Sequence, residues 1–319
     1  MEKQQKLKEK RMKKIINKEH FEGYLFGHDL LAKVSGEAAK TPGTPYIAGT
    51  INVATDDEGM NVVPVNFRYV TETTKAGKKN ATFASLLNII ENGKTWQDVG
   101  PAATKLKIDT AVGINDFYNA EEELITYKIN DGGFVHAVPM FTADRNSFEL
   151  DMLITNTTVK EADEERGFPE VVVVKGYTFN FMNSILPIDL VVKNAGGKKY
   201  FEDLGATASE PILLKVWGHV TSSTVETQTT EESAFGEAAV KISTRNLREW
   251  EITGASTEPY AFGDDLVMTT AEVKDALTKR EDMLVDVKQR HDEWAASKNA
   301  GTSAPAAGTP KAAPGKFKF

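Results

Sequence analysis

The chain has 319 residues, 40% apolar, 26% charged and 9% aromatic, an ordinary globular balance. Its formal charge of −8 hides a polarised layout: residues 1–18 carry eight Lys/Arg against two Glu, 297–319 carry four Lys and no acid, and 19–296 hold −18. Without cysteine there is no disulfide framework, no thiol nucleophile and no Cys-based zinc or iron–sulfur site. No run approaches the 18 apolar residues of a membrane span, and no apolar secretory region follows the charged start, so a cytoplasmic protein is expected.

Residues 1–17 are strong helix formers with Leu7, Arg11 and Ile15 four apart, which fits a solvated helix or a disordered basic arm equally well. Between 20 and 39 the apolar set Phe21, Tyr24, Leu25, Leu30, Leu31 and Val34 suggests a short helical or irregular entry segment, broken by Thr-Pro-Gly-Thr-Pro at 41–45. From Tyr46 the period becomes two. Ile47, Gly49, Ile51 and Val53 alternate with smaller or polar partners, and an acidic turn follows at 56–59. Val63, Val65, Phe67 and Tyr69 then share one face of a second strand with Asn66 and Arg68 on the other, which predicts a hairpin. Leu86, Leu87 and Ile90 predict a helix over 83–91, stopped by Gly93. Strands are expected at 105–112, 124–129 and 134–138, the last two separated by a turn at 131–133.

A similar order restarts near Phe148, with strands at 148–154, 171–181, 185–192 and 212–220 and one helical turn at 200–204. No residue-level identity accompanies the repeat. Two more strands are expected at 238–242 and 248–253. Thr269 and Glu272 have capping-box form, and Val273, Leu277, Leu284, Val287 and Trp294 continue at helical spacing. The Ala/Pro/Gly/Lys-rich stretch 297–319 has too little apolar content for a core and is expected to be disordered. The resulting division is a basic arm and entry segment (1–45), two β domains (46–140 and 141–258), a helix (259–296) and a tail (297–319).

Catalytic patterns are missing. Gly77-Lys78 is not a phosphate loop, because position 72 is Glu and position 79 is Lys. GxGxxG, GxSxG and HExxH do not occur, and the five histidines are too dispersed for a sequence-local metal site. The acidic runs at 121–123 and 163–165 lack the spacing of a calcium loop and read as solvated. No enzyme, cofactor or metal is expected.

Binding chemistry is better represented. On the strand 212–220, Lys215, Trp217 and His219 share the polar face. Such a face suits a base stacked on indole with a cation on phosphate; alternatively a second layer, such as the C-terminal helix, covers Trp217. Residues 60–107 carry a net +4, including the basic loop with Lys75, Lys78 and Lys79 after Arg68 and Tyr69, and the strand residues Lys105 and Lys107. This segregation fits either a local positive groove or a sheet edge guarded by lysines. The candidate stacking rings are Phe67, Tyr69, Trp96 and Trp217.

The segments 46–54, 60–70, 82–93, 105–112 and 124–129 follow the OB-fold order, with a helix before the fourth strand, and 148–221 follows it with a short middle helix. Over 46–255 the chain resembles phage-type single-stranded-DNA-binding proteins of replication modules. The resemblance implies a mainly β fold with two OB-like β-barrels in tandem, beside the long C-terminal helix and disordered basic tail. It implies a non-enzymatic protein that binds single-stranded DNA by stacking and phosphate contacts, with little sequence preference, in phage DNA replication or recombination in the host cytoplasm. Homo-oligomers and replication proteins reached through the C-terminal tail are the further partners implied. The tail departs from that pattern: such proteins usually end in an acidic tail with a terminal aromatic, whereas this chain ends Lys316-Phe317-Lys318-Phe319. The alternative is a phage virion or assembly structural protein, for which β-rich domains, a long helix and basic arms would supply subunit contacts.

Overall fold

A strand with one face in the core alternates apolar and polar residues, whereas one covered on both faces does not. Both kinds occur in the computed structural model, which describes residues 15–37, 39–163, 168–231, 239–261 and 268–301. The elements run β1 (Asn17–His28), β2 (Leu31–Val34), β3 (Pro45–Ala54), β4 (Val62–Thr71), α1 (Ala81–Asn92), α2 (Trp96–Val99), β5 (Lys105–Tyr118) and β6 (Leu124–Ala137). They continue as β7 (Asn146–Lys160), β8 (Val171–Phe179), β9 (Ile185–Val192), α3 (Ala195–Asp203), β10 (Ile212–Glu231), β11 (Ala239–Ala255) and α4 (Thr270–Gly301). The chain is mainly β with a long C-terminal helix, as its sequence implies. The first 14 residues and those from 302 onward, which include most of the expected arm and tail, lie outside the described residues.

Three expectations need correction. The segment read as a helical or irregular entry is two strands, β1 and β2. In β1, residues 21–25 are all buried, so no period of two marks it. The turn expected at 131–133 does not form; β6 runs through it, and the irregularity falls on β5 between Asp109 and Ala111. The two strands expected between 238 and 253 are one, β11.

Strand pairing repeats in the two halves. β1 pairs β3, β3 pairs β4 and β5 pairs both β6 and β1, all antiparallel, while β4 pairs β6 in parallel. These pairings form a cycle of five, with α1 between its third and fourth strands in chain order. β7, β8, β9, β10 and β11 make the second cycle, again with one parallel step, β9 to β11, and with α3 in the corresponding place. The cycles join where residues 17–21 of β1 pair with 146–150 of β7, giving one eleven-stranded sheet with β2 at an edge. A single apolar cluster runs through both halves, from Phe21 and Ile51 to Phe148, Leu190 and Trp250.

The join is also held by polar side chains. The Asn17 amide donates to the carbonyls of Val112 (2.9 Å) and Phe179 (3.2 Å), one in each cycle, while its oxygen accepts from the Val112 N–H at 2.9 Å. Asn61, after the acidic turn, accepts from the Ser222 N–H at 2.6 Å and donates to the Val220 carbonyl at 3.1 Å. Glu19 is buried opposite Phe148 and Thr110 and accepts from the Trp250 indole N–H at 2.7 Å. Burial pushes its pKa up to about 8, against the pull of that hydrogen bond.

The C-terminal helix ties the halves from outside. Its capping box forms as read, with the Thr269 N–H donating to Glu272 at 2.7 Å and the Glu272 N–H to the Thr269 hydroxyl at 3.3 Å. Val273 and Leu277 pack on Leu153, Phe179, Ile185 and Leu213, an apolar cluster separate from the main core. Further along, Arg280 forks onto Asp116 of β5 at 2.9 and 3.2 Å, and Lys288 reaches Glu122 at 3.6 Å.

Glu19 makes stability depend on pH. Between its ordinary value of 4.5 and about 8, the folded state keeps a proton that the unfolded state has lost. Stability therefore falls as pH rises through that window, by up to about 1.4 kcal/mol per unit, and levels off above it. Glu19→Gln keeps an acceptor for Trp250 and cannot titrate. Calorimetry from pH 5 to 9 should show a smaller fall in Tm for the variant and a higher Tm at pH 8; parallel profiles would contradict this account of the join.

Candidate nucleic-acid interface

The outward side of β2, β3 and β4 gathers one group of the sequence-nominated residues. Alternation sends Ile47 and Ile51 of β3, and Val63, Val65 and Phe67 of β4, into the core. A bulge then sets in: Ile47 stands opposite Val70, and Gly49 opposite Phe67. Arg68 and Tyr69 lie between two inward-facing residues three apart, so both turn outward. Gly49 permits this with φ of +143°, and a Cβ there would come within 2.7 Å of the Asp29 carbonyl oxygen. The Tyr69 ring is 49% exposed and lies against Tyr46, with centroids 4.5 Å apart and planes at 37°. Lys33 of β2 is the cross-strand neighbour of Tyr46.

The loop after β4 is ordered. The Thr74 N–H donates to the Lys78 carbonyl at 2.8 Å, the Gly77 N–H to the Thr74 carbonyl at 2.8 Å, and Thr73 bridges Lys79. Asn80 caps α1 by accepting from the Thr82 N–H at 3.1 Å, and its amide donates to the Thr71 carbonyl at 2.9 Å, fixing the loop to the end of β4. Lys75, Lys78 and Lys79 are thus exposed on an ordered loop that leaves the end of β4. Among the described residues these three and Lys33 form no ion pair, so their charge is available. Arg68 is more engaged: it lies 3.5 Å from Asp131 and donates to the Ile114 carbonyl at 3.0 Å. Burial raises the Asp131 carboxyl, and Arg68 opposes that shift.

A second group lies at the join of the cycles. Trp217, 41% exposed, stands opposite Glu149 and beside a groove of about 580 Å³ also lined by His20, Asp109 and Asp144. The helix expected as a possible cover packs instead on Tyr177 and Leu213. The groove is lined by Asp109, Asp144 and Glu149 against Lys18, and two lysines on neighbouring strands are engaged by carboxylates. Lys215 is paired with Glu149, whose hydrogen bond pushes the ammonium up, and Lys107 lies 3.8 Å from Glu22. Burial raises Glu22, but hydrogen bonds from Thr142 and the charges of His20 and Lys107 outweigh it and hold its carboxyl below the ordinary value.

The remaining nominees belong elsewhere. Phe67, 3% exposed, is a core residue and cannot stack on a ligand. Trp96 is half-buried, 4.9 Å from the Tyr24 ring, and its indole fills the space over Gly59, whose φ is +72°. Lys105 sits 5.2 Å from the centroid of Phe141, in that same cluster. The candidate residues therefore fall on two surfaces, one on β2–β4 with its following loop and one at the join. Tyr46 and Lys33 were missed; the pairing of β2 with β3 that brings them together has no signal in a segment read as irregular. Among the described residues no cluster of three or more His, Asp or Glu side chains is placed to hold a metal ion, and no helix is long and apolar enough to cross a membrane.

A family model described as YorF matches residues 17–290. No curated protein matches the chain. Among solved structures, a deletion mutant of the single-stranded DNA binding protein from Thermus aquaticus is similar with a TM-score of 0.43 and 11% identity, over 78% of this chain and 98% of that chain.

The two aromatic environments should separate in mutagenesis. Phe67→Ala should cost about 3–5 kcal/mol in denaturant unfolding, as for a large ring removed from a packed core. Tyr69→Ala should cost no more than about 1 kcal/mol, because the ring is half exposed. Equal losses would contradict the outward placement of Tyr69.

Proposed function

We propose, for a chain that belongs to the YorF family, that each five-strand cycle is an OB-fold and that the outward face of β2–β4 binds single-stranded DNA without catalysis. Support for the fold reading comes from the pairing order: first to second to third, third parallel to fifth, fifth to fourth, fourth back to first, with a helix before the fourth. That is the Greek-key order of the OB barrel, whose second and third strands and first connection commonly carry the ligand. In the first cycle those parts are β3, β4 and the connection that holds β2.

The observation that carries the functional reading is the ring pair of half-buried Tyr46 and exposed Tyr69, on a face that also holds Lys33 and leads into the loop of Lys75, Lys78 and Lys79, four lysines with no ion-pair partner among the described residues. Rings accept bases of any identity and ammonium groups hold phosphates, so sequence preference should be slight. Local charge matters here because the body as a whole is acidic and repels a polyanion. In the second cycle the corresponding strands are β8 and β9, where α4 packs against Tyr177 and Ile185. The reading therefore assigns binding to one cycle and leaves the other as support. Phage DNA replication or recombination in the host cytoplasm is the setting we propose for such an activity.

Fluorescence anisotropy with labelled oligo(dT) tests this. Binding should weaken steeply with salt, and replacing Lys75, Lys78 and Lys79 together by Ala should reduce the log–log salt slope by about 2, at roughly 0.7 per phosphate contact. Tyr69→Ala should weaken binding by about 1–3 kcal/mol at fixed salt. Absence of binding at low salt, or a slope unchanged by the triple substitution, would refute the proposal.

A further inference from the structure

Where the two cycles meet, a second concave surface of about 400 Å³ opens between β6 on one side and β9 and β11 on the other. Its chemistry differs from that of the groove beside Trp217. Tyr127 is 45% exposed and meets the exposed ring of Phe117 edge to face at 6.0 Å, and the Asn115 amide donates to its hydroxyl at 2.9 Å. Arg248 lines the same cleft as Tyr127.

The carboxylates around the cleft are engaged by cations other than Arg248, with Lys193 shared between Glu249 and Glu251. Asp189 is held by Lys128, Glu249 lies 2.8 Å from Lys193, and Asp116 takes the fork of Arg280. Arg248 makes no hydrogen bond or ion pair among the described residues. A guanidinium left over beside exposed rings is a ready partner for a phosphate flanked by a base, since its planar fork binds phosphate oxygens in pairs.

The cleft is also connected to the β2–β4 face. Arg68, next to Tyr69, donates to the Ile114 carbonyl on β5, and the next cross-strand pair along that hairpin is Asn115 with Tyr127. We propose that a single strand of DNA bound on β2–β4 continues past Arg68 into this cleft, placing a phosphate on Arg248 and a base against Tyr127. The inference rests on the DNA-binding reading above and extends the contact surface across the join of the cycles.

The test uses the full chain with oligo(dT) carrying 5-iododeoxyuridine, photo-cross-linked and mapped by mass spectrometry, together with anisotropy on Arg248→Ala. Cross-links are expected on the peptides holding Tyr69 and Tyr127. Arg248→Ala should bind a long oligo(dT) about tenfold more weakly, yet bind an oligomer of about 8 nucleotides, short enough for one fold, as the wild type does. Because Arg248 is exposed and forms no hydrogen bond or ion pair among the described residues, the variant's Tm should not move. Cross-links at Tyr69 without any at Tyr127, or an unchanged affinity for the long oligomer, would overturn the cleft and leave the β2–β4 site standing. Absence of both cross-links and binding in the wild type would instead overturn the reading beneath it.

Discussion

The backbone hydrogen bonding of β1 is the constraint on which the rest of the molecule depends. This one strand pairs with β3 and β5 to complete the first cycle and with β7 to attach the second. Both faces of its middle are also covered, and residues 21–25 are buried without interruption. Its polar members must then find partners inside. Asn17 satisfies carbonyls from both cycles, and Glu19 exchanges its charge for a hydrogen bond to Trp250. Burying that carboxyl is costly in its ionised form, which is why its proton is held to a pH far above the ordinary range.

Surface charge follows from the same geometry. At the join, strands from both cycles crowd acidic and basic residues onto neighbouring register positions, and Lys107 and Lys215 there are engaged by Glu22 and Glu149. Toward the β2 edge fewer strands contribute, and among the described residues the lysines of the loop after β4 form no ion pair. An acidic chain thus obtains a local cationic surface by the distribution of its salt bridges rather than by its composition.

Much of this was legible in the sequence. Alternation located β3 and β4, and helical spacing with the Thr269–Glu272 box located α4. The grouping of Arg68, Tyr69, Lys75, Lys78 and Lys79 could be read because those residues are close in the chain. What stayed hidden depends on long-range burial or pairing. β1 has no period of two, because both its faces are covered. Phe67 and Tyr69 look equivalent in an i, i+2 pattern, yet the bulge opposite Ala48 turns one inward and the other outward. Lys107 and Lys215 count as cations in a tally of charges, but their carboxylate partners come from other strands.

The placement of α4 bears on the order in which the molecule can be assembled. Leu153, Ile185 and Leu213 belong to strands synthesised well before residue 270, and the helix that shelters them follows both cycles in the chain. During vectorial synthesis the second cycle must therefore exist for a time with a greasy patch turned toward water, the sort of intermediate that invites chaperone capture or self-association. Arg280 on Asp116 and, a little later in the chain, Lys288 near Glu122 then fasten that cover to the earlier half.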